Sequence, residues 1–269
     1  MELQSVSKSF GSLVALQPTT IQIRAGEVIG LVGSNGAGKT TLLRLLSGVY
    51  RPTSGQIHFP QQSESQNPRL LMGIVPESSG LYARLTAWEN IRYHSRLYGA
   101  TDEDAWATTI KYARILGIDQ DLSRHTRGFS RGMRQKTALL RAIAHRPHIL
   151  LLDEPTAGLD VTSARAVKRL VRQLGDHGGT VIYSTHQLAE AQTVCDRIII
   201  MHNGEIRADG TPQSLLDVTQ TTSLEEAYVS LTNDSARVLT PDSKPESKFS
   251  LWWQSLFTKK TPMRGDEDE

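Results

Sequence analysis

The sequence predicts an α/β fold in which a buried sheet carries a phosphate-binding loop and a helical segment interrupts the chain midway. Three observations predict it. The apolar run Val28–Val32 is followed at once by "GSNGAGKTT", Gly33 to Thr41, and then by a helical pattern. From about 80 to 147 the texture turns helical. After that stretch "HILLLD", "GTVIYST" and "RIIIM" resume as strands separated by helical segments.

Taken in order, "ELQSVS" and "TIQIR" alternate apolar and polar residues, the mark of half-buried strands. "VIGLV", bounded by glycines, fits a strand buried on both faces. A helix is predicted from Lys39 to about Ser47, ended by Gly48. "SGQIHF" and "LLMGIV" are two further strand candidates. Thr86 and Glu89 stand at capping-box spacing, so a helix starts there and stops near Gly99. Thr101 opens another, with Trp106, Ile110, Ala113 and Leu116 on one face. A third runs from about Ser130 to His145 and stops before Pro147. Asn203–Gly204 in "HNGEI" is a strong hairpin signal, and Ser223 with Glu226 caps a last helix, "LEEAYVSL". No internal repeat is found. The expected organisation is one unit over residues 1–231, with the helical insert at about 80–147, and a linker and tail over 232–269.

The 269 residues are 38% hydrophobic and 22% charged, as in ordinary globular proteins, with a net charge of +2. That charge is too mild for the dense basic stripe of a nucleic-acid-binding domain, so no nucleic-acid partner is expected. A single cysteine, Cys195, forbids an internal disulfide and fits a reducing compartment. Met1 is followed by Glu2 and polar residues, which does not resemble a signal peptide. No apolar run approaches the roughly 18–20 residues of a membrane helix, so work at a membrane is expected to need the spans of a partner.

The loop Gly33, Ser34, Asn35, Gly36, Ala37, Gly38, Lys39, Thr40 and Thr41 fits G-x-x-x-x-G-K-[ST] between a strand and a helix. Glycines let the backbone turn its N–H groups inward on phosphate, and the helix N-terminus adds positive potential. Lys39 is expected to reach the β- and γ-phosphates, and the Thr40 hydroxyl to bind Mg²⁺. In "HILLLDEP" a buried strand ends in two acids. Asp153 is placed to hold Mg²⁺ through water, and Glu154 to polarise the attacking water. A charged pair that merely caps the strand end is the plainer reading. "FSRGMRQK", Phe129–Lys136, has three basic residues and no acid. By itself it reads as an RNA patch, a phosphate loop or a solvated helix end.

The phosphate loop, "FSRGMRQK", "LLLDEPTAGLD" and His186 in "YSTHQ", in that order, resemble the nucleotide-binding subunit of ABC transporters. The resemblance covers about Leu3 to Ile206, more weakly to about Leu231. It implies a P-loop NTPase core with an antiparallel β subdomain and an inserted α-helical subdomain. It implies ATP and Mg²⁺ as ligands, ATP hydrolysis, and a place on the cytoplasmic face of a membrane. Its partners would be a second ATPase copy, as a homodimer, and a separate integral membrane permease. Ser130, Arg131, Gly132 and Met133 fall on the family's "LSGGQ"-type signature, which closes over the ATP held by the second copy. Arg131 replaces the usual glycine and Met133 the usual glutamine, as in bacterial drug-, sodium- and polysaccharide-type export ATPases. His186 would donate to the γ-phosphate, Asp160 would cross the dimer interface, and Phe10 would stack on adenine. Glu77 stands where the family offers a glutamine that senses Mg²⁺ and water, and as a carboxylate it can still ligate the metal. The groove near Glu77–Tyr93, with Leu81, Tyr82 and Leu85, would receive a permease helix. A soluble ABC ATPase driving scaffold or complex assembly is the alternative reading.

The tail lies outside the resemblance. "FSLWWQSLF" carries Trp252 and Trp253 between flanking lysines, and the chain ends in "GDEDE". Three readings stand for it: docking to a membrane interface or partner groove, tucking back onto the cassette, and plain disorder.

Overall fold

The computed structural model describes residues 1–59 and 67–233, so the expectations for the tryptophan-bearing tail and its acidic end lie outside the described residues. The chain opens with β1 (Glu2–Phe10) and β2 (Leu13–Gln22), of nine and ten residues. Both run longer than their alternation marks. Register shifts between Leu3 and Val6, and again up to Ser9, break the in-and-out pattern. β3 (Val28–Val32) leads through the glycine loop into α1 (Lys39–Leu46), and β4 (Ser54–His58) follows. A single 3₁₀ turn, Pro68–Leu71, precedes β5 (Met72–Val75), so the run "LLMGIV" is only part strand.

The helical insert comprises α2 (Ala87–Leu97), α3 (Asp102–Leu116) and α4 (Arg131–Ile143). Thr86 and Glu89 form the expected reciprocal cap on α2. Ser130 is the N-cap of α4, and the helix ends at Ile143, short of His145. On α3 the buried residues are Ala105, Thr108, Thr109, Tyr112, Ala113 and Leu116. Trp106 is not on that face. It sits exposed and packs edge-to-face on Trp88, with ring centroids 4.8 Å apart. Asn90 of α2 is buried and ties down the chain before its own helix. Its Oδ1 accepts from Tyr82 N at 2.7 Å, and its Nδ2 donates to the carbonyls of Tyr82 (3.1 Å) and Thr86 (2.9 Å). From the far end of α4 Arg141 donates to the carbonyls of Ser79 (2.7 Å) and Gly80 (2.8 Å).

The rest alternates: β6 (Ile149–Asp153), α5 (Val161–Asp176), β7 (Thr180–Thr185), α6 (Leu188–Val194), β8 (Arg197–His202), β9 (Glu205–Gly210), α7 (Pro212–Thr219) and α8 (Leu224–Thr232). Asn203 and Gly204, both at positive φ (48° and 77°), make the β8–β9 turn. The strands form two sheets. One is antiparallel with order β2-β1-β4; the other has order β5-β6-β7-β3-β8-β9, parallel except for β9.

Alternation along the central strands fills two cores at once. Ile29 and Leu31, Ile149 and Leu151, Ile182, and Ile199 point to the side of α1 and the antiparallel sheet. Val28 and Val32, Leu150 and Leu152, Val181 and Tyr183, and Ile198 and Ile200 point to the side of the remaining helices, the insert included. The ends of β3, β6 and β7 therefore meet at one rim between both layers, where the glycine loop begins.

Candidate active site

Two glycines of the loop are required by its surroundings. A Cβ on Gly33 would stand 2.4 Å from the Met201 carbonyl oxygen. Gly38, the residue before α1, has φ 103° and would place a Cβ 2.9 Å from the Ala15 carbonyl oxygen. The loop is fastened on itself by Ala37 N to Ser34 O (3.1 Å), and to the β8–β9 turn by Gly204 N to Ala37 O (3.1 Å). The turn is fastened to β2 in the same way, through Gln17 N to Gly204 O (2.8 Å). A further bond comes from α8, where the Tyr228 hydroxyl accepts from Ser34 N at 3.1 Å.

Lys39 is buried. Its Nζ donates to the carbonyls of Gly33 (2.7 Å) and Ser34 (3.2 Å) and lies 3.6 Å from Glu154 Oε1. The two acids at the end of β6 diverge because Glu154 adopts a left-handed backbone, φ 48°. Asp153 turns to Thr40, whose hydroxyl donates to its Oδ1 at 3.2 Å. Glu154 turns to Lys39 and to His186, whose Nδ1 donates to Oε2 at 2.9 Å. The buried Ser184 of β7 serves both acids. Its hydroxyl donates to Asp153 Oδ1 (2.8 Å) and accepts from Glu154 N (2.9 Å). In the parallel register Ser184 lies beside Asp153, which is why it can do so.

Lys39, Thr40, Glu154 and His186 face a pocket of about 620 Å³. Phe10, the loop from Ser34 to Thr41, Glu77, Glu154 and His186 line it, whereas Gly33 and Asp153 are set behind its wall. Phe10 is 43% exposed and not a core residue. Tyr50 abuts its ring edge-to-face at 5.3 Å, and Lys8 Nζ lies 5.1 Å from its centroid.

Ser130–Met133 do not line this pocket. Ser130 Oγ accepts from Met133 N at 3.2 Å, and a Cβ on Gly132 would lie 3.0 Å from Ser163 Oγ. Arg131 lies across Gly158, with its Nη1 2.4 Å from the place a Cβ would take there. Asp160, the N-cap of α5, accepts from Ser163 N at 2.9 Å, and that backbone bond holds its carboxyl below the usual range. The signature residues and Asp160 are thus brought together with each other, apart from Lys39 and Glu154. Sequence reasoning missed Ser184 and Tyr228. The register of β6 against β7 would have found the first; nothing local marks the second.

The family model described as ABC transporter matches residues 16–157, a span that holds the glycine loop, the helical insert and both acids. The chain belongs to the ABC transporter family. Among its relatives, ABC transporter ATP-binding protein NatA of Bacillus subtilis (strain 168) is 36% identical over 220 residues, 80% of this chain and 89% of that one. Linearmycin resistance ATP-binding protein LnrL of the same organism is 33% identical over 218 residues, 80% of this chain and 70% of its own. A solved dimeric ATP-binding cassette in a post-hydrolysis state, bound to ADP and Pi, superimposes with a TM-score of 0.69 at 26% identity, covering 78% of this chain and 97% of that one. This ABC protein is an ATPase, the ATP-binding subunit of a transporter, built as a P-loop α/β cassette.

Proposed function

We propose that this ABC ATPase works as a pair of identical copies clamping two ATP molecules head to tail. The motion passes to a separate membrane permease, in the direction of export. The observation that carries the pairing is that Ser130–Met133 stand apart from the pocket lined by Lys39 and Glu154 in their own chain. A helix N-terminus with an exposed Arg131 has groups suited to phosphate, and a second copy can present them. Export rests on the Arg131 and Met133 form of the signature and on the similarity to a resistance protein. No helix among the described residues is long and apolar enough to cross a membrane, in keeping with a cassette on the cytoplasmic face that borrows its permease's spans. The cassette would occupy residues 1–231 with its insert at about 80–147. Exposed Tyr82 and Tyr93, in edge contact at 5.8 Å, and Leu81 and Leu85 beside them supply the apolar surface for a permease helix.

Within the site the roles follow from charge and geometry. Lys39 moves from two carbonyls and a carboxylate to the β- and γ-phosphates, where it stabilises charge on the transferring group. Glu154, held by His186, accepts the proton of the attacking water. The His186 ring is bonded to Glu154 through Nδ1; carrying a proton on each nitrogen, it would donate to a γ-phosphate oxygen through the other. Thr40, Asp153 and Glu77 fit a magnesium ion: the Thr40 hydroxyl and Asp153 carboxylate already share one spot, and all three offer hard oxygen donors. When bound, that ion would neutralise charge on the phosphate oxygens. Asp160 would carry the partner contact and Phe10 the adenine stack.

The test is Glu154→Gln in size-exclusion chromatography with ATP and Mg²⁺. Turnover is expected to fall about 10²- to 10⁴-fold, with the trapped nucleotide holding a dimer. A strictly monomeric variant that keeps wild-type turnover would overturn both the base and the pairing.

A further inference from the structure

We propose that Tyr228 positions the phosphate loop, and that through it the C-terminal helix α8 senses the nucleotide. Tyr228 is far from every motif of the site in sequence, yet its hydroxyl accepts from the Ser34 backbone N–H at 3.1 Å. The same Ser34 residue carries the carbonyl on which Lys39 Nζ rests at 3.2 Å and to which Ala37 N donates at 3.1 Å. Tyr228 thus holds the chain at the shoulder where the catalytic lysine is parked.

The shoulder needs holding. Ser34, Asn35 and Gly36 are exposed, and Gly36 and Gly38 have left-handed backbones, so the stretch has little packing of its own. Tyr228 can supply it because α8 is anchored. Leu224, Ala227 and Leu231 are buried in the helical-side core, and the Tyr228 ring packs against that core. Ser223 caps the helix by accepting from Glu226 N at 3.2 Å. A tyrosine has few rotatable bonds, so a fixed helix presents its hydroxyl at a fixed point. Ordering the loop in advance lowers the entropy lost when phosphate binds, and so strengthens ATP binding without entering the chemical step. By linkage, whatever α8 gives to ATP binding, ATP returns to α8 as added order.

Tyr228→Phe tests this, since it keeps the ring and removes only the hydroxyl. Titration with a fluorescent ATP analogue and steady-state kinetics are expected to show Kd and KM raised about 2- to 10-fold, the worth of one partly exposed hydrogen bond, with kcat kept. Hydrogen–deuterium exchange over residues 224–232 should slow on ATP binding in the wild-type protein and much less in the variant. An unchanged Kd overturns the proposal. So does a fall in kcat and Tm at constant Kd, which would make Tyr228 a packing residue only. Equal exchange of α8 in the wild-type protein with and without ATP would overturn the sensing.

Discussion

The Lys39 ammonium lies 3.6 Å from Glu154 Oε1, although two strands, the helical insert and a third strand separate them in the chain. The pair sits at the shared rim of β3 and β6, and each member supplies what the other lacks. Glu154 Oε1 has no hydrogen-bond partner, so Lys39 is its nearest compensation. A γ-phosphate entering beside them would compete for the same cation.

Replacing that cation is therefore expected to be severe. Lys39→Ala should nearly abolish ATPase turnover, because no other side chain in the loop brings a positive charge to the transferring phosphoryl group. A phosphate-release assay decides it; more than about a tenth of wild-type activity would show that Lys39 lies off the reaction path.

Ser184 should matter nearly as much to order as to rate. Ser184→Ala leaves the Glu154 N–H without a partner and Asp153 Oδ1 with the Thr40 hydroxyl alone. A loss of about 1–3 kcal/mol in urea unfolding is expected, together with a lower kcat as both acids drift. Full stability and full kcat would mean that water replaces the hydroxyl without cost.

Asn90→Ala removes the side chain that fastens the Tyr82–Thr86 stretch to α2. The Tyr82 N–H loses its partner, while the Tyr82 and Thr86 carbonyls each lose one donor and keep others; a destabilisation of about 1–3 kcal/mol is expected from thermal or denaturant melts. If Tyr82 forms the permease contact, co-purification with the permease should drop more than ATPase activity does.

Acid should loosen the joint between α2 and α4. Burial pushes His94 and His145 each down to about 4. Tyr98 stacks on His145 with centroids 4.0 Å apart, His145 Nε2 donates to the Met72 carbonyl at 3.1 Å, and Arg141 faces His94. In the unfolded chain both rings titrate near 6.5, so between about 6.5 and 4 the unfolded chain binds more protons. The stability they contribute is whole above that window and is lost as pH falls through it. Tm measured from pH 7 to 4 should fall, and His145→Phe should flatten the slope. An identical slope in the variant would place the acid sensitivity elsewhere.

The parts legible in the sequence were those whose cause is local. "VIGLV" before "GSNGAGKTT", the Thr86–Glu89 cap and the Asn203–Gly204 turn each depend on neighbours a few residues away, and each is present as read. Trp106 was misplaced because helical spacing marks a face by apolarity, whereas Thr108 and Thr109 fill the buried face of α3 and an aromatic partner, Trp88, holds the indole outside. The lengths of β1 and β2 were hidden by register shifts that scramble alternation. Ser184, Asn90 and Tyr228 were silent because their partners are set by sheet register or by helix packing, which no short window contains.

Helix α4 has the signature serine at one end and, near the other, the arginine that grips the Ser79 and Gly80 carbonyls just beyond Glu77. Thirteen helical residues make a strut of about 20 Å whose own Ala138, Leu139 and Leu140 are buried. Through Arg141, such a strut would carry a push on its N-terminal tip toward the loop that holds Glu77. In the proposed pair of copies the tip would belong to one nucleotide and the loop to the other. The two sites would then keep time with each other through a solid rod, with no flexible relay between them.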